Sequence, residues 1–232
     1  MYFDWTYLIL VTPALIFSLW ASARVKSSYR KYSQQYSRRG LNGAEAAQRV
    51  LRANGLGNIP IHRVSGELTD HFDPKDNVIR LSESVYSGTS SAAIGVACHE
   101  AGHAIQYAQG YAPIKLRSAL IPVTNFGARL SGPLIITGFL LASFSQAFIL
   151  LAYLGIICFG LSTFFQLVTL PVEFNASRRA MAAIEGQNLL AEDEMKGVRS
   201  VLSAAALTYV AALAVSLVQL LRFIILANRR RN

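Results

Sequence analysis

The chain has 232 residues, 53% of them hydrophobic, and carries 22 Lys and Arg against 13 Asp and Glu, a net charge of +9. Apolarity combined with basic charge points to a membrane protein, with the lipid bilayer as its partner. It argues against a nucleic-acid binder, because the aromatic residues lie mostly inside apolar runs and are not interleaved with Lys and Arg as a stacking platform requires.

The first apolar run is Phe3 to Ala23, interrupted only by Asp4 and Pro13. It is long enough to cross a bilayer. Ala21-Ser22-Ala23 resembles a cleavage site, so a removed signal peptide is the competing reading. No Lys or Arg precedes the run, whereas Arg24, Lys26, Arg30 and Lys31 follow it. That asymmetry favours a retained helix, residues 1–23, with its N-terminus outside.

Residues 24–118 read as a water-facing α+β domain. Asn42 caps a short helix and Glu45 completes its capping box. Ala46, Ala47, Val50 and Leu51 form the apolar face of that helix, and Asn54-Gly55 ends it. Ile59 to Val64 reads as a strand with an edge proline. Leu68 to Asp73 and Val78 to Ser82 flank Pro74-Lys75-Asp76-Asn77, which predicts a β-hairpin.

Ser90 to Gln109 then forms a helix ended by Gly110. It contains His99-Glu100-Ala101-Gly102-His103, an HExxH. One helical turn separates the histidines, so both imidazoles leave the same face and can hold two corners of a zinc tetrahedron. Glu100 is placed to take a proton from a water at such a site. An exposed edge strand beside this helix would hold an extended peptide by backbone hydrogen bonds, and Asn77 to Ser84 is the expected edge. The alternative is a sheet that only supports the helix.

Ala119 to Arg129 is apolar but broken by Pro122, Asn125, Gly127 and Arg129, and is expected to lie at the membrane interface. Leu130 to Leu170 carries no charge and fits two spans in an antiparallel hairpin, turning at Ser143-Phe144-Ser145-Gln146, so 119–170 form one membrane segment. A hairpin without ionisable groups argues against an ion channel or transporter. Residues 171–203 return to the water-facing domain. Residues 204–232 hold a fourth span, Ala204 to Leu221 continuing past Arg222, and the tail Arg229-Arg230-Arg231.

Four spans put both termini on one side. The basic residues at 24–39, Lys115, Arg117, Arg178 and Arg179 outnumber the C-terminal arginines, which argue the opposite way. The larger cluster places 24–118 and 171–203 in the cytoplasm of a multi-pass protein of the cell (inner or plasma) membrane. Cys98 and Cys158 imply no disulfide framework. Cys98 points about 100° away from His99 around the helix and reads as core. His62 reads as a surface or core residue.

Catalytic zinc usually takes three protein ligands. The metzincin pattern requires Gly and His where this chain has Gln106 and Gln109, and an ATP-dependent membrane protease would require a P-loop, which is missing. A glutamate from a later helix remains, out of Glu173, Glu185, Glu192 and Glu194. Glu173 directly follows the uncharged span and Pro171, which can open a helix from Val172 to Gly186. Glu192-Asp193-Glu194 reads as a solvated acidic run, and Glu185 stands beside Gly186. Glu173 is therefore the expected ligand; its alternative role is a helix N-terminal carboxylate facing the dipole.

The HExxH, with Leu68-Thr69-Asp70-His71-Phe72-Asp73-Pro74 before it and Pro171-Val172-Glu173-Phe174-Asn175-Ala176-Ser177 after it, resembles the YugP-type family of neutral zinc membrane metallopeptidases over nearly the whole chain. The resemblance implies a mainly α integral membrane protein of about four transmembrane helices with a small zincin-like domain. It implies a zinc endopeptidase of gluzincin type, with one Zn2+ on His99 and His103, Glu100 as base, and peptide or membrane-protein substrates. The family's wider relatives, the integral-membrane prenyl-protein and heat-shock metalloproteases, take their third ligand from the glutamate of an ExxxD motif, which Glu173 matches. Ser177 stands where they have Asp, so the carboxylate that orients a histidine is missing there. Asn175, Asp70 and Asp73 are the candidates to replace it.

Peptide hydrolysis also needs a donor for the tetrahedral oxyanion. His71, Tyr107 and Arg178 are the candidates. Tyr107 shares the helical face of His103, with simple packing as its alternative role, and His71 could instead orient structure. The competing function is a non-cleaving zinc-binding adaptor or assembly factor, against which the intact Glu100 weighs. A site close to the bilayer suggests membrane-protein quality control as the setting.

Overall fold

The computed structural model describes residues 5–67 and 69–231, so the expectations resting on Phe3, Asp4 and Leu68 lie outside the described residues. A π-helical turn, Tyr7–Val11, leads into α1 (Thr12–Tyr32). There follow α2 (Gly43–Ala53), β1 (Ile61–Val64), β2 (His71–Asp73), β3 (Val78–Ser82) and the short α3 (Glu83–Tyr86). The HExxH lies on α4 (Ser91–Ala108), and three long helices complete the chain: α5 (Ala112–Leu141), α6 (Ile149–Gly186) and α7 (Met195–Arg231). The protein is mostly helical, with a small three-stranded sheet. Among the described residues four helices are long and apolar enough to cross a membrane: Tyr7–Tyr32, Ala112–Leu141, Gln146–Gly186 and Met195–Arg230.

Local chemistry explains most boundaries. Asn42 accepts from the Glu45 N–H while Glu45 accepts from the Asn42 N–H, a reciprocal capping box at the start of α2. Ser90 accepts from the Ala93 N–H and starts α4, and Gly110 adopts φ +65° just past its end. The turn between β2 and β3 contains Asn77 at φ +51°, a conformation asparagine tolerates. Asp73 accepts from the Lys75 N–H and pairs with Arg80 on β3, closing the hairpin.

Two expectations are corrected. β3 is the middle strand, with order β1-β3-β2, parallel to β1 and antiparallel to β2, so Asn77 to Ser84 is not an edge. Its side chains read as an edge because only Arg80 breaks the run, but Val78, Ile79, Leu81 and Ser82 are all buried. Ala119 to Arg129, whose apolar run is interrupted by Pro122, Asn125, Gly127 and Arg129, is an unbroken part of α5, which also contains Pro133. Pro171 does not open a helix; it lies inside the 38-residue α6. A proline removes one backbone hydrogen bond, a loss that a long apolar helix tolerates when neighbouring groups satisfy the freed carbonyl.

The chain divides into two compact units. One comprises residues up to Trp20, Lys115–Leu170 and those from Thr208 on. In it α5 and α6 run antiparallel at close range, because a Cβ on Gly138 would meet the Ala152 backbone and one on Gly155 would meet Ile135. Thr163 and Ser216 share a buried hydrogen bond of 2.7 Å between α6 and α7, and Tyr153 donates to Asn228.

The other unit comprises Ala21–Ile114 and Pro171–Leu207. Its core joins Val50 and Leu51 of α2, Ile79 and Leu81 of β3, Ile94, Ala97 and Ala101 of α4, Ile184 of α6 and Val198 of α7. Helix α4 is therefore covered on nearly every side. Residues 35–37 run against 89–91, with Ser37 N–H on Thr89 O and Ser91 N–H on Gln35 O, and so anchor the start of α4.

The acidic run before α7 is also not simply solvated. Glu194 is 2% exposed, and its carboxylate accepts from the backbone N–H groups of Ala191 and Arg38 at 2.8 and 2.9 Å. Replacing it leaves two part-buried backbone donors without their acceptor. Glu194→Ala is expected to lower stability by about 2–4 kcal/mol, read as thermal unfolding in detergent, while Glu192→Ala at an exposed position should shift it by no more than about 0.5 kcal/mol.

Candidate metal centre

Helix α4 crosses α6 at the HExxH. The crossing is tight: a Cβ on Gly102 would stand 2.7 Å from the carbonyl oxygen of Ala176. The glycine inside the motif thus lets the two backbones meet. On α4 it is flanked by Ala101, and Ala176 on α6 is fully buried.

The crossing aims three donor side chains at one point. His99 Nε2 lies 3.3 Å and His103 Nε2 3.5 Å from Glu173 Oε2. Ligand atoms of the three residues all fall within 4.8 Å of one another. Glu173 is 2% and His103 8% exposed. Because α6 is continuous here, Glu173 is not a helix N-terminal carboxylate, and the dipole role has no terminus to act on.

The remaining ring nitrogens are spoken for. His103 Nδ1 lies 3.0 Å from Gln106 Oε1. Gln106 is fully buried, and its amide nitrogen donates to Val172 O at 2.8 Å and to Asn175 Oδ1 at 2.9 Å. A backbone carbonyl only accepts, so the Gln106 nitrogen must face Val172 and its oxygen must accept from His103. That places the proton on Nδ1 and leaves the Nε2 lone pair toward Glu173. His99 Nδ1 lies 3.2 Å from Ser177 Oγ, the position expected to lack an orienting group. Hydroxyl stands in for carboxylate.

Asn175 acts one step further out, accepting from Gln106 and from Arg179 Nε at 2.7 Å, while Arg179 also donates to Gln109. Asp70 and Asp73 serve the hairpin instead: Asp70 accepts from the Ser82 backbone and hydroxyl, and Asp73 holds Arg80. Sequence reasoning used Gln106 only to exclude a metzincin. Its i, i+3 spacing from His103 was the signal for its role.

Glu100 is 8% exposed and accepts from the backbone N–H of Phe72 at 3.0 Å. This N–H points away from β3, so the outer edge of β2 faces the metal helix. Burial works against a charged His103, but the hydrogen bond that a second proton, on Nε2, would make to Glu173 and the charges of Glu100 and Glu173 outweigh this and raise its proton affinity. Burial pushes the Cys98 thiol up to about 12, so it is core and not a thiolate ligand.

The three candidate oxyanion donors separate. Tyr107 is half-exposed on α4, its ring edge-on to Phe72 at 6.0 Å between centroids. His71 is exposed, with Nδ1 2.7 Å from Thr69 O; the proton is spent there and Nε2 is left as an acceptor. Arg178 lies on the exposed side of α6.

Two imidazole lone pairs and a carboxylate oxygen, fixed by outer hydrogen bonds, fit zinc: a borderline cation that takes nitrogen and oxygen donors in a compact set. Residues 7–228 match the profile of a family described as "Putative neutral zinc metallopeptidase". The chain is 48% identical over 226 residues to a Bacillus subtilis (strain 168) protein named "Putative membrane protease YugP", covering 97% of this chain and 98% of that one. No solved structure matches the chain.

Gln106→Leu and Ser177→Ala are each expected to weaken zinc binding about 10- to 100-fold, measured by chelator competition, with the helical signal retained. Protons compete with the metal for the same nitrogens. Since His103 gains its proton more readily than an ordinary histidine, zinc affinity should fall on acidification beginning above pH of about 6.5, and a competition titration across pH checks it.

Proposed function

This chain belongs to the neutral zinc metallopeptidase family, and from that we propose a membrane-embedded zinc endopeptidase in which His99, His103 and Glu173 hold the metal and Glu100 is the general base. The observation that carries the reading is the convergence of His99, His103 and Glu173 at one buried point with Glu100 on the same helix. A bound zinc ion would supply Lewis acidity toward a carbonyl and toward water.

The chain's own groups do the rest. An extended peptide lies along the outer edge of β2, in place of the edge expected at β3, on the strand whose Phe72 N–H holds Glu100. Glu100 takes the proton of the attacking water and gives it to the leaving amine. Its carboxylate is presented by Phe72, so docking and proton transfer share one strand. Tyr107, beside Phe72, donates to the oxyanion as the carbonyl becomes tetrahedral. Gln106 keeps His103 in the tautomer a metal requires, and Ser177 orients the His99 ring.

The basic residues following α1's apolar part and at Arg178 and Arg179 support a cytoplasmic site in the cell membrane. The substrates are peptide segments of membrane proteins, and the setting is their quality control.

Purified in detergent, the wild type should bind one zinc and cleave an unfolded protein. Glu100→Gln should keep the metal and lose at least about 10³-fold in rate. Tyr107→Phe should lose about 10²-fold with zinc unchanged. Glu173→Ala should lose the metal, whereas Glu185→Ala should not. Bound zinc with no cleavage by wild type or Glu100→Gln would instead establish the non-cleaving adaptor.

A further inference from the structure

The unit that holds the metal centre also contains a cavity lined by none of the metal-centre residues. It measures about 690 Å³, within the roughly 300–1,000 Å³ of small-molecule sites. Lys26, Tyr29 and Arg30, three and four residues apart, present one face of α1 to it. Ser84, Gly88 and Thr89, from the stretch before α4, supply another wall, and Glu67, between β1 and β2, also lines it. These walls are held in place. Tyr29 donates to Ser84 Oγ at 3.3 Å, and the carbonyls of Gly88 and Thr89 accept from the Gly43 and Ser37 N–H groups at 2.9 and 2.7 Å.

The charges of the cavity are unused. Among the described residues the side chains of Lys26, Arg30 and Glu67 make no hydrogen bond or ion pair. Lys31, by contrast, leaves the cavity face of α1 and stacks over Tyr32. Opposite charges that line one cavity without meeting each other are complementary to a ligand whose own charges are separated. Arg and Lys bind phosphate, and a carboxylate accepts from an ammonium.

Helix α1 also fixes the depth. Its apolar run ends at Ala23. At about 1.5 Å per residue, Lys26 stands about 4.5 Å and Arg30 about 10 Å further along the same helix. A headgroup layer is roughly 5–8 Å deep on each side of the bilayer, and long basic side chains extend their reach toward it. Tyr36, which also lines the cavity, is 72% exposed, as suits an aromatic ring at a membrane interface. We propose that this cavity binds the headgroup of an aminophospholipid, with Lys26 and Arg30 on the phosphate and Glu67 on the amine.

The test uses the full-length protein in detergent, titrated with phosphatidylethanolamine or with phosphatidylcholine of the same acyl chains. Native mass spectrometry counts the first bound lipid. Ethanolamine offers N–H donors to Glu67 and choline offers none, so the wild type should take the ethanolamine lipid at least about fivefold more tightly. Lys26→Gln with Arg30→Gln should weaken both lipids at least about tenfold. Lys31→Gln with Arg39→Gln removes the same charge outside the cavity and should change them less than about twofold. Glu67→Ala should bring the two headgroups to equal affinity and leave the choline lipid unchanged. Equal weakening by the two double variants, or a wild type that does not distinguish the headgroups, overturns the proposal. Soluble phosphoethanolamine separates the two sources of this chemistry. It should bind at least about tenfold more weakly than the lipid, whose chains add apolar burial. Binding as tight as the lipid's assigns the cavity to a free phosphoamine and overturns the membrane ligand. Neither readout involves zinc or cleavage, so the outcome is independent of the endopeptidase reading.

Discussion

The close crossing of α4 and α6 at Gly102 and Ala176 is the constraint on which the rest of the metal centre depends. From α4 come two imidazoles and the Gln106 amide; from α6 come a carboxylate, a hydroxyl and a backbone carbonyl. Each α4 group meets its α6 partner only at this backbone separation. A methyl group at 102 would wedge the helices apart and lengthen every one of these contacts at once. Gln106 shows how tightly the parts are tied. A fully buried amide is tolerable only when satisfied, and its oxygen and both donors have partners.

Charge gives the second layer. Glu100 and Glu173 are both buried, and both raise the proton affinity of His103. A site that draws in protons in this way is one whose geometry favours positive charge. A divalent cation satisfies it more fully than a proton, because it engages both imidazoles and the carboxylate together.

How much of this is written in the sequence differs with the range of the interaction. The capping box at Asn42, the Ser90 cap, the Gly110 stop and the hairpin at Pro74 to Asn77 are local, set by residues three or four apart, and were legible. So was the pairing of the HExxH with a later glutamate, because metal chemistry limits the choice. The centrality of β3 was not, since an alternating or apolar run has the same pattern beside one strand or between two. Glu194 was misread for a similar reason: its partners are backbone groups, one of them on Arg38, far away along the chain. Pro171 misleads because local rules assign a helix start that a longer apolar helix overrides.

Helix α6 has one further property. At 38 residues it is about 57 Å long, nearly twice the roughly 30 Å of a bilayer's hydrocarbon. A single rod therefore reaches from the apolar, bilayer-length sequence to a carboxylate of the candidate metal centre. A long helix meets a change in bilayer thickness by tilting. Pro171, lacking its N–H, stands two residues before Glu173 in that rod. One continuous helix thus carries both an uncharged segment of bilayer length and a carboxylate of the candidate metal centre.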